Sequence, residues 1–154
     1  MRNINDFKFR GYDTELEKMT YFDDDDYLLS YGQILRSKIE WDYNYKERVG
    51  YEDATNEIVL MQYAGLTDKK GKEIYEGDIV LLDCYGCEKP LFNGEFKVIY
   101  DVKKGMWLLV DLENKDRDFT FEKIRSYYKA EIEVIGNIYD NPDLLEKGAK
   151  NECR

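Results

Sequence analysis

The stretch at residues 63–80 limits the possible folds of this chain more than any other part of it. Three glycines divide the stretch into apolar pieces that are too short for ordinary helices. Residues 57–63, which end at the first residue of this stretch, contain the continuous apolar run Ile58, Val59, Leu60 and Met61. This run predicts a strand buried on both faces. The stretch therefore predicts a strand, a turn and a second strand.

Two bends are predicted within this stretch. Asp68-Lys69-Lys70-Gly71 is typical of a turn, because glycine can adopt positive φ without steric cost. Glu76-Gly77-Asp78 predicts a second bend before a strand at residues 79–84.

Glu73, Glu76 and Asp78 are close enough in sequence to suggest a carboxylate site. The preferred interpretation is turn chemistry, in which Gly77 permits the bend and Asp78 accepts hydrogen bonds from nearby backbone amides.

The rest of the sequence predicts further antiparallel strands and one short helix. Asn93-Gly94 is a two-residue hairpin signal, because a type I′ turn needs positive φ at both central positions. Asn141 as N-cap and Pro142 at the first helical position predict a short C-terminal helix, with Gly148 placed to end it. The predicted strands cover residues 5–10, 16–22, 57–63, 79–84, 95–100, 106–112, 119–121 and 131–139, with a turn at 101–105 and either a helical turn or the approach to a strand at 122–129.

Residues 21–56 differ in character from the rest and are predicted to be an irregular excursion from the core. Eight aromatic residues lie among nine acids and four bases between positions 21 and 53. The spacing of Ile34, Leu35, Lys38 and Ile39 predicts a short amphipathic helical turn. Tyrosine is enriched at protein interfaces, so part of the group from Tyr27 to Tyr51 is a candidate for binding a partner. The alternative is that the tyrosines belong to the core and the barrel rim.

Length predicts one domain over residues 1–154, and the succession of short strands and turns predicts a β-meander within it. A chain of 154 residues can bury one ordinary core. Its predicted parts are an N-terminal hairpin at 1–20, the acidic aromatic excursion at 21–56, a β core with a short C-terminal helix at 57–147 and a tail at 148–154. No run of about 18 apolar residues occurs, which predicts no membrane span.

The charge and the missing histidines exclude several functional classes. The chain has 23 basic and 33 acidic residues and no histidine, for a net charge of -10. Without histidine, Ser-His-Asp and Cys-His catalysis and the common zinc-hydrolase sites are disfavoured. An acidic surface repels phosphates, so direct nucleic-acid binding is not expected.

Three further groups are candidate sites, and the ordinary interpretation is preferred for each. Cys84 and Cys87 have C-x-x-C spacing but follow a strand rather than start a helix, which favours reduced loop thiols. The acid run lacks the spacing of a calcium loop, which favours a solvated loop; it comprises Asp23, Asp24, Asp25 and Asp26. The turn lysines are too few for a nucleic-acid patch, which favours a solvated turn; they are Lys69, Lys70 and Lys72. The sequence thus predicts no catalytic, cofactor-binding or metal-binding residues, and no cofactor.

Three blocks of this sequence resemble the YopX family of bacteriophage and prophage proteins. They are F-K-F-R-G-Y-D at residues 7–13, residues 60–80, and I-E-V-I-G-N-I-Y-D-N-P at residues 132–142. Gly11-Tyr12 departs from the family's usual F-R-A-W-D, so the first block is the least specific. The resemblance implies a mainly β fold with strongly bent sheets, including a small SH3-like barrel. Residues 1–10 mix charges without an apolar core, and together with the lack of a long apolar run this predicts a cytoplasmic location, here in a bacterial host cell. The family's biochemical role is uncharacterised, so the resemblance implies no site residues.

Three functional hypotheses follow from these observations. The first is a noncatalytic phage or prophage accessory protein, a scaffold for a protein partner or for copies of itself as a homo-oligomer. The alternative is an acidic mimic of DNA that inhibits a host nucleic-acid-binding protein, which the acids between positions 23 and 53 suggest. The third is a small enzyme with a site built from carboxylates, tyrosines, or Cys84 and Cys87.

Overall fold

The fold is mainly β, as predicted, with curled sheets and a short C-terminal helix. It is described here from a computed structural model over residues 8–22, 27–30, 32–41, 47–84, 93–125 and 130–149. The chain divides into two compact units, Met1–Gln62 and Tyr63–Arg154, which are described in turn. The single domain over residues 1–154 and the SH3-like barrel stay predictions.

The first unit contains two antiparallel arrangements of strands. In one of them β1 lies between β2 and the first half of β6, and the other is a three-stranded sheet in the order β3-β4-β5. The strands are β1 (Phe9–Asp13), β2 (Lys18–Tyr21), β3 (Tyr27–Ser30), β4 (Gln33–Trp41), β5 (Glu47–Asp53) and β6 (Ile58–Thr67). The second half of β6 belongs to the second unit, where it pairs with β7 (Glu73–Tyr75).

The segment predicted as an irregular excursion forms the three-stranded sheet, and the helical turn predicted around Ile34 and Lys38 is wrong. β4 pairs with β3 on one side and with β5 on the other, so its backbone groups find partners across the sheet rather than along a helix. Four residues with helical spacing cannot offset the cost of helix nucleation, whereas two neighbouring strands satisfy the same backbone groups. Residues 23–26 and 42–46 lie outside the described part.

The first hairpin is present, shifted toward the C-terminus from its predicted position. β1 begins at Phe9 rather than Asn5, and residues 1–7 lie outside the described part. Asp13 makes the turn, because its Oδ1 accepts hydrogen bonds from the backbone N–H groups of Glu15 (3.0 Å) and Leu16 (2.8 Å). The strand therefore extends to the residue that caps the turn.

The strand β6 is present, but it is not buried on both faces as its apolar run predicts. Ile58 and Met61 are buried, whereas Val59 and Leu60 are each 39% exposed. β6 therefore leaves part of two apolar side chains in contact with solvent.

The second unit is built on a five-stranded sheet in the order β11-β10-β9-β8-β12, curled into a half-barrel. Its elements are β8 (Asp78–Cys84), β9 (Gly94–Asp101), β10 (Met106–Asp111), β11 (Asp118–Thr120), α1 (Phe121–Arg125), β12 (Ala130–Asn137) and α2 (Pro142–Ala149). One buried apolar cluster holds the unit together, comprising Ile74, Val80, Leu82, Phe96, Val98, Leu109, Phe119, Phe121 and Ile124. For residues 122–129 the sequence predicts either a helical turn or the approach to a strand. Within the part that the structure describes, residues 122–125 belong to the helix α1.

The hairpin predicted at Asn93-Gly94 is wrong. Gly94 is already the first residue of β9 and pairs with Leu82 of β8, so it is not part of a two-residue loop. The connection between these strands includes residues 85–92, which lie outside the described part. Asn-Gly is therefore a misleading local signal at the start of a strand.

The C-terminal block of the chain is a turn held by asparagine side chains. Asn137 is 8% exposed, and its Oδ1 accepts hydrogen bonds from the backbone N–H groups of Tyr139 and Asp140, both at 2.9 Å. α2 begins at Pro142 as predicted. The Oδ1 of Asn141, the predicted N-cap, accepts a hydrogen bond from the backbone N–H of Asn137 (3.2 Å), a residue that precedes the helix.

Gly148 does not end α2, which continues to Ala149. At the other end of the block, a side chain at Gly136 of β12 would collide with Asn141. The backbone at Gly136 therefore lies too close to the Asn141 side chain for any residue larger than glycine at position 136.

Gly71 gives a direct test of the turn between β6 and β7. Its φ is +85°, and the space that a Cβ atom would occupy there is open, so a substitution is strained only by its backbone conformation. Gly71→Val should lower the free energy of unfolding by about 1–2 kcal/mol, the usual cost of this conformation. Gly71→Asn should cost less, because asparagine tolerates positive φ. Urea denaturation measures both, and equal losses for the two variants would contradict this explanation.

Candidate functional site

The candidate lysines lie in ordinary surroundings on the turn between β6 and β7. The Nζ of Lys69 lies 2.7 Å from Glu133, and that of Lys70 lies 2.5 Å from the same carboxylate. Lys72 is exposed on the turn. Cys84 is the last residue of β8, and its partner Cys87 lies outside the described residues, as do Asp23, Asp24, Asp25 and Asp26.

The carboxylates beside Gly77 point into separate local contacts. The side chain of Asp78 accepts a hydrogen bond from the backbone N–H of Tyr75 at 2.8 Å, and Asp78 is only 1% exposed. Glu73 instead accepts a hydrogen bond from the hydroxyl of Tyr75 at 2.7 Å. Asp78 thus performs the turn role expected of it.

Asp68 links the turn between β6 and β7 to β12, a role that its sequence neighbours do not reveal. Its Oδ1 accepts from the backbone N–H groups of Lys70 (2.8 Å) and Lys72 (2.9 Å), and its Oδ2 accepts from that of Val134 (3.1 Å). Burial alone would raise the pKa of Asp68, but the hydrogen bonds from Lys72, Val134 and Lys70 lower it below its ordinary value.

The most concentrated group of charges in the described residues surrounds Arg36 on β4. Its guanidinium lies 2.9 Å from Asp13, 2.5 Å from Glu15, 2.7 Å from Glu52 and 3.0 Å from Glu57. These five residues are called the Arg36 cluster below. They come from β1 and its turn, β4, β5 and the turn before β6, so the cluster joins most of the first unit.

Asp13 is the buried centre of this cluster. Its side chain is 0% exposed and accepts hydrogen bonds from the Arg36 guanidinium (2.9 Å) and from the hydroxyl of Tyr27 (2.8 Å). Burial would raise the pKa of Asp13, but the hydrogen bonds from Leu16, Tyr27 and Arg36 lower it below its ordinary value. The carboxylates in turn raise the pKa of Arg36, with the hydrogen bond to Glu15 as the largest cause.

The Arg36 cluster is not foreseeable from sequence patterns. Its members are separated by up to 44 positions and belong to no motif with regular spacing. In the sequence Asp13 stands out only as a turn residue, and Arg36 only as one of four bases in the acidic excursion. The register of β4 against β5, which pairs Arg36 with Glu52, is what brings these charges together.

The opposite face of the three-stranded sheet carries the exposed aromatic side chain of Tyr51. Side chains alternate between the two faces of a strand, so Leu35 and Ser37, the neighbours of Arg36 on β4, lie on the face away from it. The residues that pair with them on β5 lie on this same face. Tyr51 pairs with Ser37 and is 51% exposed. The described residues of this outer face are Gln33, Leu35, Ser37, Tyr51 and Asp53.

Metal sites and membrane spans are both missing from the described residues. Within them, no group of three or more histidine, cysteine, aspartate or glutamate side chains is arranged to hold a metal ion. Neither described helix has the length and apolar character needed to cross a membrane. The Arg36 cluster and the outer face are therefore the features to be explained.

Comparison with known proteins identifies relatives of this chain. A model of the YopX protein family matches residues 8–146. The SPbeta prophage-derived uncharacterized protein YopX of Bacillus subtilis (strain 168) is 28% identical over 139 residues, which cover 84% of this chain and 90% of that protein. The crystal structure of protein EF1440 from Enterococcus faecalis has a TM-score of 0.57 and 27% identity, over 90% of this chain and 97% of that one.

Asp68 should make the second unit sensitive to acid. A lowered folded-state pKa contributes stability above the unfolded pKa, and this contribution is lost as the pH falls through the folded pKa. In Asp68→Asn, the amide group would meet the N–H of Val134 or of the lysines, so the variant should lose about 1–3 kcal/mol at pH 7. The difference from the original protein should shrink below about pH 4.

Urea denaturation at pH 7 and pH 3 measures this difference. Asp116→Asn, which changes an exposed acid of the same unit, is the matched control and should have little effect at either pH. A loss for Asp68→Asn that is equal at both pH values would show that the charge of Asp68 is unimportant.

Arg36 should be among the most sensitive positions of the first unit. Arg36→Met would leave the fully buried carboxylate of Asp13 without its opposite charge. Removing one partner of a buried ion pair costs about 3–5 kcal/mol. Arg36→Lys should restore only part of the loss, because an ammonium cannot reproduce the planar fork of donors.

Denaturant unfolding measures the loss, with Lys38→Met as the control at an exposed position of the same strand. If both methionine variants were equally stable, the Arg36 cluster would not support the first unit.

Proposed function

This chain belongs to the YopX protein family, and we propose that it is a noncatalytic scaffold that binds a protein partner through the outer face of its three-stranded sheet. The observation that carries the proposal is the exposed aromatic side chain of Tyr51 in the middle of β5. It lies in the acidic aromatic segment whose composition suggests an interface. A second copy of the chain is one candidate partner.

A tyrosine on a strand is well suited to binding. It offers a large contact area and a hydroxyl, and it has few rotatable bonds to immobilise. Ser37 lies opposite Tyr51 in the register, and Leu35 is one pair further along β4. A protein partner would therefore meet a small, mixed apolar and polar surface.

The Arg36 cluster supports this surface from the other side of the same strands. Arg36 is one residue before Ser37 on β4, and Glu52 is one residue after Tyr51 on β5. Their hydrogen bond of 2.8 Å joins the two strands directly beneath the outer face. A rigid surface loses less conformational entropy on binding than a flexible one, so this arrangement favours recognition.

The relative from Bacillus subtilis is prophage-derived by its name. We extend that setting to this chain and propose an accessory protein of a phage or prophage, acting in the cytoplasm of its bacterial host. The partner would then be a host protein, a phage protein or another copy of the chain.

The two other hypotheses have less support from the described contacts. A mimic of DNA would present its carboxylates to a partner, but Glu52 contacts Arg36, and Asp53 accepts hydrogen bonds from Thr55 at 2.5 and 2.9 Å. A small enzyme built from the carboxylates near Gly77 would use Glu73 and Asp78, which are engaged in separate turn contacts.

Tyr51→Lys tests the proposed surface. The change removes an aromatic side chain at an exposed position, so the fold should be retained while partner binding falls at least about tenfold, as for a central interface tyrosine. The matched control is Tyr100→Lys, at a tyrosine that is 37% exposed in the second unit. Light scattering measures self-association, and affinity capture from infected host cells with quantitative mass spectrometry measures other partners.

The result expected is a partner, or a dimer, that is retained by Tyr100→Lys and lost by Tyr51→Lys. A partner that binds both variants equally would reject this surface. Competition for the partner by DNA that weakens with added salt would favour the charge mimic instead.

A further inference from the structure

The Arg36 guanidinium is surrounded by more acceptor oxygens than one of its nitrogens can satisfy. Nη2 lies 2.5 Å from an oxygen of Glu15, 2.7 Å from one of Glu52 and 3.0 Å from one of Glu57. A guanidinium Nη carries two hydrogens, so it cannot donate to three carboxylates at once. Nη2 therefore cannot give each of the three oxygens a hydrogen of its own.

The oxygen without a donor is the Oε2 of Glu57. It is buried and accepts no hydrogen bond, although it lies within ion-pair distance of Nη2. Glu52 also receives a hydrogen bond from Nε of Arg36 at 2.8 Å, and Glu15 receives one from Nη2. The contact between Glu57 and Arg36 is therefore an ion pair without a hydrogen bond.

The charges show the same shortage. The groups facing Glu57 are the carboxylates of Asp13 and Glu15 from the first hairpin, Glu52 from β5 and the single cation Arg36 from β4. Tyr27 of β3 donates to Asp13, and Lys18 of β2 lies over the ring of Tyr27, 5.7 Å from its centre. Four carboxylates thus share one guanidinium, which leaves excess negative charge in a partly buried place.

We propose that Glu57 and Glu15 share a proton, so that the Arg36 cluster is a pH-sensitive latch between the first hairpin and the turn before β6. Both carboxyl groups contact the same nitrogen, Nη2 of Arg36, so their oxygens are neighbours, and a hydrogen bond between the two side chains is among the causes that raise the pKa of Glu57. Two ionised carboxylates cannot form such a bond, whereas a protonated Glu57 donates one to Glu15. The proton supplies the hydrogen bond that the buried oxygen of Glu57 lacks and removes one negative charge.

The electrostatics of Glu57 agree with this geometry. Burial raises the pKa of Glu57, and the negative charge of Glu15 raises it further, while Arg36 acts in the opposite direction. A group whose folded pKa is raised stabilises the fold fully below its unfolded pKa, and this contribution is lost as the pH rises through the folded pKa. The latch therefore tightens as the pH falls toward 4.5, the ordinary value for glutamate.

NMR titration of the full chain, with ¹³C-labelled glutamate carboxyl groups, tests the latch directly. One glutamate resonance should titrate above the ordinary range and disappear in Glu57→Gln. In Glu15→Gln, the same resonance should move back toward the ordinary value, because its charged neighbour is gone. Glu146→Gln, at an exposed position of α2, is the control and should leave it unchanged.

Several results would overturn the proposal. They are the absence of any glutamate that titrates above the ordinary range, the persistence of the shifted resonance in Glu57→Gln, and a shifted resonance that ignores Glu15→Gln. The last result would mean that Glu57 takes up a proton without sharing it.

Thermal unfolding supplies a second readout that does not depend on assigning resonances. Glu57→Gln keeps the shape of the side chain and removes its charge, so its melting temperature should exceed that of the original protein at pH 8. This gap should narrow, close or reverse at pH 4.5, the ordinary value for glutamate, because a raised pKa leaves Glu57 mostly protonated at that pH. A gap that is the same at both pH values would overturn the latch, and Glu146→Gln again serves as the control.

Discussion

The burial of Asp13 is the constraint on which the first unit depends. A carboxylate with no exposure to solvent needs a cation and hydrogen-bond donors, because an isolated buried charge costs far more than folding can offset. Arg36 and Tyr27 meet this need from β4 and β3. The position of the three-stranded sheet within the first unit is thereby tied to one charged side chain of the first hairpin.

The same demand explains why Arg36 attracts so many acids. Its guanidinium has five N–H donors, and Asp13 uses only part of them. Glu15 and Glu52 accept further hydrogen bonds from it, whereas the buried Oε2 of Glu57 contacts Nη2 without accepting one. A buried charge that is needed for the fold thus also creates the group whose protonation can change with pH.

In the second unit, the buried polar side chains of the blocks at residues 60–80 and 132–142 are explained by backbone contacts. Asp68, Asp78 and Asn137 are buried polar side chains, and each accepts hydrogen bonds from backbone N–H groups. Unpaired N–H groups in buried turns are costly, so these positions stabilise the corners of the fold. The stretch at residues 63–80 is therefore informative about architecture, while the proposed binding surface lies in the more irregular sequence before it.

The amino-acid sequence by itself determined the features that depend on a few neighbouring residues. The turn at Gly71, the bend with its cap at Asp78, the start of α2 at Pro142 and the mainly β character all follow from backbone preferences and local hydrogen bonds. Where a local pattern competed with distant pairing, the pattern failed: Ile34 and Lys38 have helical spacing but lie on a strand, and Asn93-Gly94 leads into β9, with Gly94 as its first residue, instead of closing a two-residue hairpin. Only the tertiary structure decided the three-stranded sheet, the outer face with Tyr51 and the Arg36 cluster. Their members lie far apart in the chain, and strand register, which no short segment specifies, brings them together.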